Sequence, residues 1–124
     1  MKRKADPRHQ LRVKIMKQLF EKNFRESLEL SKPSDALEIY SDRKKIDKII
    51  TTNAPAWPLN QIPPVDLATL RLAIWELKFK RKKEPYKVVI DEAVEIAKEF
   101  GTGASPSFIN GVLGSVVKKE IKHD

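Results

Sequence analysis

The sequence predicts an all-α fold, and three observations carry that prediction. Apolar residues recur at spacings of three and four in several separate stretches. No stretch of useful length alternates apolar and polar residues as a half-buried strand would. The breaks between the periodic stretches carry helix start and stop residues, with Pro, Ser and Asp before a pattern and Gly after one.

In order along the chain, Leu11, Ile15 and Leu19, with Met16 and Phe20 beside them, form the stripe of a first helix. Arg8, Arg12, Lys14 and Lys17 are expected on its other faces. Lys32-Pro33-Ser34-Asp35 breaks the chain, and Asp35 followed by Glu38 resembles a helix start. Ile39, Ile46, Ile49 and Ile50 continue as one helix or two short ones. Residues 53–64 form a proline-rich linker between helical halves. Pro63-Pro64 then opens a helix with Leu67, Leu70, Ile74 and Leu77 on one face, because proline costs nothing where a backbone donor has no partner. Pro85 opens the next helix, which is expected to bury Ile90, Ala93, Val94 and Ala97 and to stop at Gly101. Ser105-Pro106 reads as a cap followed by proline at the first turn, ahead of the apolar face Ile109, Val112, Leu113 and Val116.

At 124 residues the chain is expected to be one domain, residues 1–124, with no room for a separate cofactor domain. No apolar run approaches the roughly 18 residues of a membrane span, and the charged N-terminus has no apolar run behind it as a secretory signal would. There is no cysteine, and the two histidines, His9 and His123, lie at opposite ends of the chain. A metal site, a cofactor and a disulfide framework are therefore not expected, and a cytoplasmic location is. The four glycines cluster at 101, 103, 111 and 114, which is no phosphate loop. Glu92, Glu95 and Glu99 line one side of a helix and are expected to be an exposed acidic face rather than an acid–base pair. Catalytic residues are not expected.

The net charge of +8 is segregated. Residues 1–25 hold nine Lys and Arg against Asp6 and Glu21, and residues 78–87 hold six against Glu84. The remainder is net acidic. Basic blocks attract polyanions by releasing condensed counterions, or they act only as a solvated face; their segregation favours nucleic acid.

Four ordered blocks carry a resemblance: Trp57-Pro-Leu-Asn-Gln-Ile62, Val65 to Leu77, Pro85 to Gly101, and Ser105-Pro-Ser-Phe-Ile-Asn-Gly-Val-Leu113, with a weaker match from Arg8 to Phe20. They resemble the NusB family of bacterial transcription antitermination factors. The resemblance implies an all-helical fold of two small packed bundles and binding of the single-stranded boxA element in nascent ribosomal RNA. It also implies partnership with NusE, a small-subunit ribosomal protein, and through that pair an indirect link to the RNA polymerase elongation complex. Monomer and homodimer both remain open.

Carried over residue by residue, the basic arm of residues 1–10 and the turn after it place Lys2, Arg3, Lys4, Arg8, His9 and Arg12 on RNA, where arginine can pair bidentately with phosphate and stack on a base. Phe108 matches a base-stacking aromatic, with core packing as its other reading; Lys87 and Asn110 are further RNA candidates. Phe20 and Asp66 match partner-facing positions, Asp66 alternatively favouring a helix N-terminus. Three departures stand out. The segment between Phe20 and Trp57 is about one helix shorter than usual, so the N-terminal half is reduced. Asp91 replaces a typical Asn and Ala104 an acidic residue, and the arm is less arginine-dense than in some relatives. The alternatives are a general helical nucleic-acid binder, a detached part of an RNA methyltransferase, and a protein–protein adaptor.

Overall fold

The computed structural model describes residues 2–30 and 34–121, with side chains from Lys4 onward, so Lys32, Pro33 and His123 and the side chains of Lys2 and Arg3 lie outside it. Its order is α1 (Lys2–Ala5), α2 (Pro7–Phe24), α3 (Asp35–Ser41), α4 (Arg43–Asn53), a 3-10 turn (Leu59–Gln61), α5 (Pro64–Ile74), a π-helical turn (Trp75–Phe79), α6 (Tyr86–Phe100) and α7 (Ser105–Glu120). The described residues contain no strand. Ser34 caps α3 by accepting the Leu37 N–H at 3.0 Å, and the isoleucine pattern resolves into two helices divided at Asp42.

Helix α5 is the axis of the molecule. It packs against α2, α3, α4, α6 and α7, and every residue from Asp66 to Leu77 is buried. A single apolar stripe was the expectation; total burial follows because Leu67, Ala68, Leu70, Leu72, Ala73 and Ile74 leave no continuous polar face. Its polar residues each have a partner. Thr69 Oγ1 donates to the Val65 carbonyl at 2.8 Å, and Arg71 pairs bidentately with Asp47 on α4 at 2.9 and 2.8 Å. One continuous core results, joining Ile15, Met16 and Leu19 of α2 to Ile39, Ile46 and Ile50 and to Ile96, Ile109 and Leu113. The segment 53–64 is docked on this core rather than loose. Ile62 is buried, and the Asn53 side chain donates to Glu120 and accepts from Ser115 of α7.

Three helical faces depart from expectation. Leu11 is 52% exposed, while His9 and Arg12 are buried with Ile15, Met16 and Leu19. On α6, Val89, Glu92, Ala93, Ile96 and Ala97 face inward, with Ile90 and Val94 at the edge. The helix containing Leu77 is not regular. From Trp75 it widens into a π turn closed by Lys80 N–H to the Trp75 carbonyl at 2.7 Å, a distortion frequent at functional positions. Carboxylates of α6 and of the π turn meet His9 and Arg12 on the inward face of α2.

Candidate nucleic-acid interface

The basic arm begins with the short α1 and the break at Asp6. Asp6 caps α2, accepting the Arg8 backbone N–H at 2.8 Å and the Arg8 guanidinium at 3.2 and 3.0 Å. That guanidinium lowers the Asp6 carboxyl to about 2. The Arg8 side chain is 78% exposed, so a phosphate can compete with Asp6 for it. Lys4 is exposed one turn earlier, its carbonyl accepting from Gln10 Nε2.

The next two basic positions are not on the surface. His9 is 2% exposed, with Nδ1 at 2.9 Å from Glu92 Oε1 and Nε2 at 2.6 Å from Glu99 Oε1. Arg12 is buried, donating to both oxygens of Glu76 at 2.9 and 2.8 Å and lying 3.5 Å from Glu92. The expectation that both side chains reach RNA is therefore corrected: each is enclosed and engaged by glutamates. The same geometry corrects the expected acidic face of α6, since Glu92 is buried and Glu99 is half-buried against His9.

The second basic block adjoins the first. Arg8 of α2 and Lys80 after the π turn line one pocket together with Leu11, Trp75 and Glu84, and the Lys80 ammonium lies 5.7 Å from the Trp75 ring centre. Arg81, Lys82, Lys83 and Lys87 are exposed along the same connection and the first turn of α6. Further along α2, Lys17 lies 4.9 Å from the half-exposed Phe100 ring.

Phe108 lies on α7, half-buried, its ring edge-to-face with Trp57 at 5.8 Å between centroids. Trp57 is 47% exposed, and the pair borders a shallow apolar pocket with Pro63, Thr102 and Ala104. Phe108 is thus partly buried, packed against the core and against Trp57. Asn110 is exposed on the same helix. Asp66 lies in the first turn of α5, as its second reading has it, and not on the surface. It is 2% exposed and accepts from Ser105 Oγ at 2.7 Å, so it holds α5 to the start of α7 rather than presenting a charge outward. Burial pushes its carboxyl up, and the Ser105 hydroxyl offsets part of that. Phe20 is half-buried and meets Phe24 edge-to-face at 5.1 Å, and Phe24 is 62% exposed.

Ser105 is the first residue of α7 rather than its cap, and its oxygen also accepts the Thr102 N–H at 2.9 Å. This tight corner explains Gly101. Its φ is −92°, so no left-handed conformation is involved. A Cβ there would sit 2.5 Å from Ser105 Oγ, 2.6 Å from Ser105 Cβ and 2.9 Å from the Ala97 carbonyl. Gly101→Ala should cost about 1–3 kcal/mol through overpacking, whereas Gly103→Ala, with open space around it, should change stability by under about 0.5 kcal/mol. Thermal melts of the two variants check this, and equal losses would reject it.

Sequence reasoning missed Trp57 and Phe24 as exposed aromatics, and Glu76, Glu92 and the half-buried Glu99 as partners of the arm. Nothing in helical periodicity marks a glutamate as buried.

Comparison with known proteins agrees with the all-helical fold. A family model described as the NusB family matches residues 14–118. The solved structure of NusB from T. maritima superposes with a TM-score of 0.80 at 34% identity, covering 94% of each chain. Proteins named transcription antitermination protein NusB match from Chloroflexus aggregans, 52% identical over 81 residues, and from Caldicellulosiruptor saccharolyticus, 41% identical over 86. Those alignments take in 64% and 69% of this chain and 54% and 65% of the relatives, so the chain spans little more than half the length of the curated relatives it matches. With its all-helical architecture and a family match over most of its length, the chain belongs to the NusB family.

Proposed function

We propose that this chain is a non-enzymatic, cytoplasmic transcription antitermination factor that binds boxA single-stranded RNA in nascent ribosomal RNA transcripts together with NusE. In this role it reaches the RNA polymerase elongation complex indirectly, as a scaffold. The observation that supports the RNA reading best is the placement of Arg8 and Lys80, from two basic blocks far apart in sequence, around one pocket that Asp35, Glu76 and Glu84 also line. Lys4, Arg8, Arg81, Lys82, Lys83 and Lys87 then offer exposed cations for phosphates, to which the sequence adds Lys2 and Arg3. Phe108, with Trp57 beside it, offers a stacking edge, and Asn110 a hydrogen-bonding group. For NusE, the Phe20–Phe24 pair offers an aromatic contact, since Phe24 remains open. Asp66 supports that role only from inside. A duplex-DNA reader would need an exposed recognition helix, and the central helix α5 is buried along its length.

Affinity for a boxA oligonucleotide should fall with salt at a slope of about −0.7 per phosphate contacted. Arg8→Ala should lower that slope by roughly one contact and keep the preference for boxA over a mutated sequence. Fluorescence anisotropy across a salt series, with and without NusE, measures both quantities. Preference for duplex DNA, or indifference to boxA mutations, would remove this reading.

A further inference from the structure

The buried imidazole at the root of the arm has a job that RNA contact does not describe. Both ring nitrogens of His9 face carboxylate oxygens, Glu92 at 2.9 Å and Glu99 at 2.6 Å. A carboxylate only accepts, and a neutral imidazole has one N–H to give. Both bonds therefore require the doubly protonated ring. The groups facing it come from every neighbouring element. Glu92 and Glu99 lie on α6; Arg12, on α2 itself, lies 3.5 Å from Glu92 and pairs with Glu76 of the π turn; and the field of Glu84 reaches both Arg8 and Arg12. With His9 charged, two cations stand among Glu76, Glu92 and Glu99. With His9 neutral, the Glu92–Glu99 pair loses the charge between its carboxylates, and one imidazole lone pair points at an oxygen.

Arg8 directly precedes His9, and Lys4 lies just before the Asp6 cap. We propose that His9, as an imidazolium clasped between Glu92 and Glu99, is a positioning residue that fastens the start of α2 to α6, sets Lys4 and Arg8 in place for RNA phosphates, and releases them when the ring loses its proton. The RNA half of this statement rests on the function proposed above; the fastening does not. Burial by itself lowers the His9 pKa, but its hydrogen bonds to Glu99 and Glu92, together with the charges of those two carboxylates, outweigh it, so the net shift is upward from 6.5. A raised histidine contributes its stabilisation in full below the unfolded value and loses it as pH rises through the folded one. The arm should therefore be fastened below pH 6.5 and freed as pH rises through the folded value of the ring, which lies above 6.5.

The test uses the full chain, as wild type, His9→Gln and His9→Arg. Nitrogen-edited NMR of the imidazole, with His9→Gln separating its signal from that of His123, should find His9 doubly protonated at pH 6.5 and titrating above it. The backbone amides of residues 4–8 should shift with the same midpoint. Titration at or below 6.5, or arm amides that do not follow the ring, would overturn the proposal, and this reading needs no RNA. Affinity for a boxA oligonucleotide is then compared between wild type and His9→Arg at each pH, which cancels pH effects common to both. The ratio should fall by at least about fivefold between about pH 6 and about pH 9, because arginine keeps its charge throughout. A flat ratio alongside a titrating ring would show that the clasp does not position the arm. Absence of RNA binding by wild type at low salt would sink the RNA reading and with it the arm's role, and leave the fastening to be judged by the amides.

Discussion

Arg12→Ala is expected to cost about 3–5 kcal/mol, because removing one member of a buried ion pair leaves the other charge uncompensated. Arg12 is buried and donates to both oxygens of Glu76, which is 3% exposed. In its absence Glu76 loses the cation that offsets its burial, and Glu92 loses one at 3.5 Å. For a chain of this size the loss amounts to a fall of roughly 10 °C or more in Tm. The paired replacement Arg12→Met with Glu76→Leu should recover much of it, since exchanging both charges for apolar groups of similar volume is often neutral. Urea denaturation of the two variants beside wild type decides the matter. A single variant within about 1 kcal/mol of wild type would mean that water already reaches the pair.

Leu70→Ala should cost about 2–5 kcal/mol, the range for a leucine deleted from a close-packed interior. Leu70 is fully buried at the centre of α5, where five other helices converge and have little freedom to collapse into the space. Leu11→Ala is the contrasting case. Leu11 is 52% exposed, so its truncation should stay within about 0.5 kcal/mol. Similar losses for the two would show that α2 packs on the stripe read from periodicity alone rather than on the face carrying His9 and Arg12.

The difference between those two leucines shows where sequence stops being sufficient. Hydrophobic spacing located the helices that begin at Pro64, Tyr86 and Ser105, because proline at a first turn and a leucine or isoleucine every three or four residues are local signals. It misjudged rotation about the helix axis on α2 and α6, because the deciding residues there are polar. A histidine and an arginine at positions 9 and 12 look like solvent-facing residues until glutamates 64 to 90 residues away are brought against them. Asp66 was misplaced for the same reason: the hydroxyl that makes its burial tolerable belongs to Ser105, 39 residues on.

The candidate interface divides in the same manner. Charge segregation, the Phe108 block and membership of the NusB family were all legible in the residues, since each depends on composition or on ordered short motifs. The adjacency of Arg8 and Lys80, the pairing of Trp57 with Phe108 and the clasp around His9 were not. An all-helical chain of this family with two basic blocks follows from the residues in order, because helix periodicity and net charge are properties of neighbours along the chain. Which cations stay open to a phosphate and which are held by carboxylates follows from folding, because that choice depends on desolvation and on partners brought together from distant positions.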